Sequence, residues 1–305
     1  MLALVCPGQG SQSPGFLSPW LELEGVEARL ASFSEASATD LRLHGTVSDA
    51  DTIRDTAVAQ PLIVAASLLA LDALLDGREA LGLVDVTAGH SVGELAAAAV
   101  AGVLDPAGAV GLVSARARAM ASAAALEPTG MTAVVGGDPA EVLEAIAAAG
   151  AYPANVNGGG QVVAAGSLEA LARLAEAPPA KARVIPLQVA GAFHTPFMQP
   201  ALDVFGPVAA AWPAQAPRIT FLSDADGAAY APGATGADVL ARLAAQVVAP
   251  VRWDLCQETM AAMGVTGLIE LAPAGVLVGL ARRSLPGVET VAVKGPADLD
   301  AARDL

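Results

Sequence analysis

Apolar positions along this chain fall into two kinds of run. Short ones, Leu2 to Cys6 and the mostly apolar Val84 to Ala88, have the length of strands. Between and after them lie longer helical patterns, one near Ala59 to Leu75 and one from Val92 onward. Past His194 the same rhythm resumes, with short apolar runs at Ile219 to Leu222, Gly267 to Leu271 and Thr290 to Val293. Short strands alternating with helices predict an α/β protein with a mainly parallel sheet.

A second rhythm interrupts the first. Met131 to Val135, Gln161 to Ala165 and Arg183 to Leu187 read as strands, with helical patterns near Pro139 to Ala149 and Ser167 to Glu176. If Pro153 to Val156 is also extended, the order is β-α-β-β-α-β, that of a small ferredoxin-like subdomain inserted in the larger one. Turn-rich joints flank it, Glu127-Pro128-Thr129-Gly130 before and Ala190-Gly191-Ala192 after. The expected division is therefore a large subdomain of 1–126 and 190–305 and a small one of 127–189.

Composition narrows the core and the partners. Of the 305 residues 54% are hydrophobic but only 4% aromatic, so the core must be mainly aliphatic and rich in alanine. A formal charge of −15 argues against general affinity for nucleic acid or for an anionic membrane, since either needs a basic face. Cys6 and Cys256 provide no disulfide framework and sit where buried thiols are common, which fits a reducing cytoplasm. The first apolar run stops at Pro7-Gly8 and has no basic leader, and the run from Pro61 to Leu71 ends at Asp72. A soluble cytoplasmic protein is expected.

Gly89-His90-Ser91-Val92-Gly93 is a G-x-S-x-G pentapeptide between a strand and a helical stretch, the context of a nucleophile elbow. There the glycines permit a tight turn, and Ser91 projects at a helix N-terminus whose dipole and free N–H groups favour developing negative charge. A serine that only caps the helix is the plainer alternative. A nucleophilic serine needs a base, and His44, His90 and His194 are the only histidines. His90 adjoins Ser91 at a sharp turn, where neighbours point apart, and His44 lies in a polar, loop-like segment. His194 sits in the Gly-containing, Pro-bounded loop Gly191-Ala192-Phe193-His194-Thr195-Pro196, so elimination favours it.

Pro7-Gly8-Gln9-Gly10-Ser11-Gln12 follows the first strand but fails the dinucleotide fingerprint, because Ser13 holds the third glycine position and Pro14 crowds the helix start. Such a loop either presents a backbone N–H to an oxyanion or is a plain connection. The amides of Gln9 and Val92 are the candidate oxyanion pair. Arg116, within Val113-Ser114-Ala115-Arg116-Ala117-Arg118, reads on spacing alone as a solvated or packing cation; clamping a substrate carboxylate is the alternative. No His/Cys cluster suggests a metal, and no cofactor is expected.

Taken together, the Pro7 to Gln12 loop, Gly89-His90-Ser91-Val92-Gly93-Glu94, Arg116 and Gly191-Ala192-Phe193-His194 resemble the malonyl-CoA:acyl carrier protein transacylases of fatty-acid synthesis and the related polyketide acyltransferase domains. The similarity includes Asn155-Val156-Asn157 ahead of Gln161, and Gln246 ahead of Pro250-Val251-Arg252-Trp253. The resemblance implies a hydrolase-like large subdomain with the ferredoxin-like insert, and a cleft between them holding Ser91 and His194. It implies that a backbone carbonyl, from Gln246 here, orients the histidine in place of an aspartate. It assigns Arg116 to the malonyl carboxylate and Phe193 to acyl choice, since a bulky Phe193 leaves little room for an α-methyl branch. Gly191, where malonyl-selective polyketide domains commonly carry His, tilts the resemblance toward the free-standing enzymes.

The expected partners are malonyl-CoA and an acidic acyl carrier protein docking on a local arginine patch, with Arg282 and Arg283 as one candidate pair and helix-end neutralisation as their alternative. A monomer is the default. Two rival functions stand beside this one. An α/β-hydrolase esterase needs an acid between serine and histidine, where only Asp105 and Asp138 are available, neither at an obvious strand end. An inactive carrier-docking module would not need Ser91, His194, Arg116 and Gln9 together.

Overall fold

The computed structural model describes residues 1–189 and 191–305. Its strands are, in chain order, β1 (Leu2–Cys6), β2 (Val86–Gly89), β3 (Thr129–Gly136), β4 (Tyr152–Gly158), β5 (Gln161–Ser167), β6 (Ala182–Pro186), β7 (Thr220–Leu222), β8 (Val251–Arg252), β9 (Gly267–Glu270) and β10 (Glu289–Ala292). They form two sheets. The first has the order β10-β9-β1-β2-β7 with every pairing parallel.

Alternate side chains of a strand face opposite ways, and β1 shows what that does at the centre of a parallel sheet. Leu4 and Cys6 enter one core with the helices Thr56–Leu75, Gly93–Val100 and Pro106–Ala124. Ala3 and Val5 enter another with Trp253, Met260 and Leu277. Both faces are covered, so neither demands polar residues, and the strands appear in sequence as short, mostly apolar runs. The helix Thr56–Leu75 is long enough and, at a mean hydropathy of 2.0, apolar enough to cross a membrane, but 78% of that window is buried inside the protein, as in a core helix.

The second sheet has the order β6-β3-β5-β4-β8. Its first four members, with the helices Pro139–Ala148 and Leu168–Glu176, pair antiparallel throughout in the ferredoxin-like arrangement. Val162 and Ala164 of β5 pack under those helices with Val142, Ile146 and Leu174. Val163 and Ala165 turn the other way, into the core of the first sheet. One face of the small sheet is thus closed by its own helices, and the other roofs a cleft.

One strand departs from the sequence expectation. β8 lies far downstream of 127–189, yet it pairs parallel with β4, Asn155 opposite Val251, and makes the second sheet five-stranded. A strand of two residues is too short for any periodicity to reveal. The expected joint after the insert begins at Ala190, which lies outside the described residues. Its next residue, Gly191, is packed so closely that a Cβ there would stand 2.6 Å from the Ala124 Cβ.

Candidate active site

β2 ends at Gly89 and a helix starts at Gly93, which leaves His90, Ser91 and Val92 to make the turn. Ser91 is driven to φ 54°, a left-handed conformation costly for a residue with a Cβ. Both flanking glycines are obligatory: a Cβ on Gly89 would overlap the Gly93 backbone, and one on Gly93 would overlap the Cys6 carbonyl. The turn is therefore locked by contact at both ends, with the serine at its apex.

His194 is also in the left-handed region, at φ 61°. Its Nε2 lies 2.7 Å from Ser91 Oγ and its Nδ1 lies 3.1 Å from the backbone oxygen of Gln246. A carbonyl only accepts, so Nδ1 carries the hydrogen and Nε2 presents its lone pair to the serine hydroxyl. Burial, and next the Arg116 cation, lower the imidazole pKa to about 3, so the ring is a neutral acceptor at neutral pH.

Arg116 lies on the helix Pro106–Ala124 and is 1% exposed. Its Nη1 donates to Gln60 Oε1 at 2.6 Å, and its Nη2 donates to Gln246 Oε1 at 2.9 Å and to Ser91 Oγ at 3.4 Å. None of the ion pairs among the described residues involves it. Burial lowers its pKa to about 10, which leaves it charged at neutral pH, and its Nε has no partner. A buried guanidinium held by neutral amides retains its charge for an anion brought in beside Ser91.

These groups open onto a cavity of about 500 Å³. Gln9, Ser91, Val92 and Arg116 line it from the first sheet's side, Met131, Asn155 and Val163 from the second sheet, with Phe193 and His194 between. No backbone carbonyl among the described residues takes the amide hydrogen of Gln9 or of Val92, so both remain available to an oxyanion. The Gln9 side chain is tethered through Nε2 to the Arg54 carbonyl at 3.2 Å. Phe193, 6% exposed, forms part of the wall.

The remaining candidates go elsewhere. His44 is on a short helix, Leu41–Thr46, not in a loop, and its Nδ1 meets Ser48 Oγ at 3.0 Å. His90 turns away from its neighbour to meet Asn157 Oδ1 at 2.9 Å, joining the elbow to β4. Asp105 and Asp138 each cap a helix, accepting from Gly108 and from Ala140 and Glu141, and neither acts on His194. Arg282 and Arg283 occupy the last turn of the helix Val276–Ser284, where cations offset the helix dipole.

Four further residues reach the site: Gln60 and Asp224, which the sequence did not single out, and Asn157 and Glu94, which stood in the quoted motifs without a role; all are buried and polar. Gln60 had a signal, an amide inside an otherwise apolar helix. Asp224, just past β7, had none in its own neighbourhood, because what it binds lies 133 residues away at Ser91. Among the described residues no group of His, Cys, Asp and Glu is placed to hold a metal.

Comparison with known proteins gives a consistent placement. The sequence matches the acyl transferase domain family over residues 3–296. It is 51% identical over 305 residues to the malonyl CoA-acyl carrier protein transacylase of Mycobacterium tuberculosis, with all of both chains covered. The Escherichia coli K12 protein of that name is 34% identical over 311 residues, with 99% of each covered. The crystal structure of MCAT from Mycobacterium tuberculosis superposes with a TM-score of 0.92, at 51% identity and 99% coverage of both chains. A malonyl-transacylase solved in complex with its type II PKS acyl-carrier protein superposes at 0.91, with 29% identity and 99% of both chains covered. By sequence along nearly its whole length and by fold, the chain belongs to the acyl transferase domain family.

Proposed function

We propose that this protein transfers a malonyl group from malonyl-CoA to the phosphopantetheine thiol of an acyl carrier protein, through an ester on Ser91. The observation that carries the malonyl assignment is Arg116, a buried cation with no ion-pair partner among the described residues, 3.4 Å from the Ser91 oxygen. An acetyl group would leave that charge unanswered; a malonyl carboxylate answers it, and the planar guanidinium suits bidentate contact.

The cycle is ping-pong. His194 Nε2 takes the Ser91 proton as Oγ attacks the thioester carbonyl, and the resulting oxyanion rests on the Gln9 and Val92 amides. The C–S bond breaks, coenzyme A leaves as its thiol with the proton from His194, and malonyl-Ser91 remains. The carrier thiol then gives its proton to His194, attacks the ester and restores the free serine. Throughout, the Gln246 carbonyl keeps the imidazole in the productive tautomer. Each step is served by a Ser-His dyad and needs neither metal nor redox group.

Residues 127–189 form the small subdomain in this reading, and 1–126 with 190–305 the large one, with the acyl group held between them. Phe193 in the wall disfavours an α-branched acyl chain. Two buried free cysteines suit a reducing compartment, and the cytoplasm is the proposed location.

Intact mass after mixing with malonyl-CoA tests the proposal. A malonyl adduct is expected on the native protein and none on Ser91→Ala; equal adducts on both would refute it. Arg116→Ala is expected to shift preference from malonyl-CoA toward acetyl-CoA by on the order of 100-fold, the worth of a charge-assisted pair in a buried site. Unchanged selectivity would remove Arg116 from its role, and rapid hydrolysis of malonyl-CoA without carrier protein would point to an esterase instead.

A further inference from the structure

Two acids are buried behind the dyad, and the chemistry above uses neither. Asp224 is 0% exposed and Glu94 is 1% exposed. Asp224 follows β7, and Glu94 is in the first turn of the helix that leaves the elbow. A single oxygen of Asp224, Oδ2, accepts from the Ser91 backbone N–H at 2.6 Å and from Gln246 Nε2 at 3.2 Å. Gln246 in turn takes Arg116 Nη2 on its side-chain oxygen and His194 Nδ1 on its backbone oxygen. Nucleophile, base and substrate cation are thus tied to one carboxyl group. Glu94 fastens that carboxyl from behind, its Oε1 accepting from the Asp224 backbone N–H at 2.9 Å.

The other oxygen, Asp224 Oδ1, is buried and receives no hydrogen bond among the described residues, and the buried Glu94 carboxyl, bonded to the Asp224 backbone, is its acidic neighbour. Two ionised carboxylates have no hydrogen to place between them. One proton supplies it, satisfies the orphaned acceptor and leaves the pair with a single negative charge.

We propose that Asp224, backed by Glu94, is a positioning residue for acyl transfer: its Oδ2 fixes the Ser91 backbone and the Gln246 side chain together, and one proton is shared between the two acids. The proposal rests on the acyl-transfer reading of Ser91 and His194. Burial, and for Asp224 the neighbouring Glu94 carboxyl, hold both acids above the usual carboxylate range, the direction a shared proton requires. The remaining charge offsets Arg116 in the empty site without forming an ion pair with it, so the guanidinium stays free to receive a carboxylate.

Quenched-flow acylation by saturating malonyl-CoA, read by intact mass, separates this from simple packing. Asp224→Ala is expected to slow acylation on the order of 100-fold, the cost of losing near-attack alignment, while the apparent KM moves less than about threefold. Asp224→Asn should run at least about tenfold faster than Asp224→Ala, because its carbonyl oxygen replaces Oδ2 and its amide donates toward Glu94. If the alanine variant does not fold, Asp224→Leu has the shape without the acceptors and carries the same expectation. Acylation of the alanine or leucine variant within threefold of native would overturn the proposal, as would an asparagine variant no faster than either, or a loss confined to KM. An adduct persisting on Ser91→Ala would instead defeat the acyl-transfer reading, whereas a slow adduct on Asp224→Ala with none on Ser91→Ala upholds both.

Discussion

Ser91 and His194 meet at 2.7 Å, and both hold left-handed backbone angles, 54° and 61°, that cost a residue with a Cβ about 1–3 kcal/mol. They are kept there by different means. The elbow around Ser91 is held by close packing of its glycines, Gly89 on the Gly93 backbone and Gly93 on the end of β1, with the Ser91 N–H tied to Asp224. The His194 loop is locked from without: Ala192 N–H donates to Thr129 Oγ1 at 2.9 Å, His194 to the Gln246 carbonyl, and Gly191 lies against Ala124. Within the loop only Thr195 contributes a short bond, its hydroxyl donating to the Ala192 carbonyl at 2.6 Å. A nucleophile on a glycine-packed turn faces a base whose loop is positioned by two distant parts of the chain, residues 124–129 and Gln246.

The largest effect should come from the glycine-packed side. Gly93→Ala would force a methyl group into the Cys6 carbonyl, where backbone has no rotamer with which to give way. An unfolding free energy lower by about 3 kcal/mol and no malonyl adduct are expected, measured by denaturant titration and intact mass. A variant that folds normally and still acylates would break the claim that the elbow is fixed by its own glycines. Thr195→Val should do less, because it removes one support among several. Loss of the hydroxyl leaves the Ala192 carbonyl and the Phe197 N–H without their partner, a cost of about 1–3 kcal/mol, with acylation slowed about tenfold. A loss as complete as that of Gly93→Ala would erase the distinction.

That distinction also governs how much could be read from sequence. The elbow was legible because strand, glycines and serine are contiguous, and the parallel sheet because its strands are short, mostly apolar runs between helical patterns. The ferredoxin-like order of the second sheet was legible from the strand-like stretches of β3, β5 and β6 interleaved with two helical patterns. β8 was not: it has no pattern of its own and exists as a strand only because β4 offers it an edge. At the site, His194 emerged by elimination among few histidines, but its partner did not, since any residue supplies a backbone carbonyl and resemblance alone selected Gln246. Arg116 read on spacing as a solvated or packing cation because its partners, Gln60 and Gln246, lie 56 and 130 residues away. Asp224 escaped altogether. Residues that act through contacts at such separations leave no local trace, however short the bonds they make.

The smallest effect is a matter of pH, and it isolates the base from the nucleophile. A solvated imidazole, with a pKa near 6.5, would be about nine-tenths protonated at pH 5.5 and lose about tenfold in rate. Burial and the Arg116 cation lower His194 to about 3, so its neutral form persists across that range. Single-turnover acylation at saturating malonyl-CoA should therefore change less than about twofold between pH 7.5 and 5.5. Saturation matters because burial holds Glu94 and Asp224 above the usual carboxylate range, so that the pair takes up a further proton as the pH falls. Protonating it removes negative charge near Arg116 and favours malonyl binding, so it acts on KM and drops out when the site is full. A tenfold fall with a midpoint near 6.5 would mean that the histidine loop opens to water in solution, and that the hydrogen-bonded supports of His194 are looser than the glycine packing around Ser91.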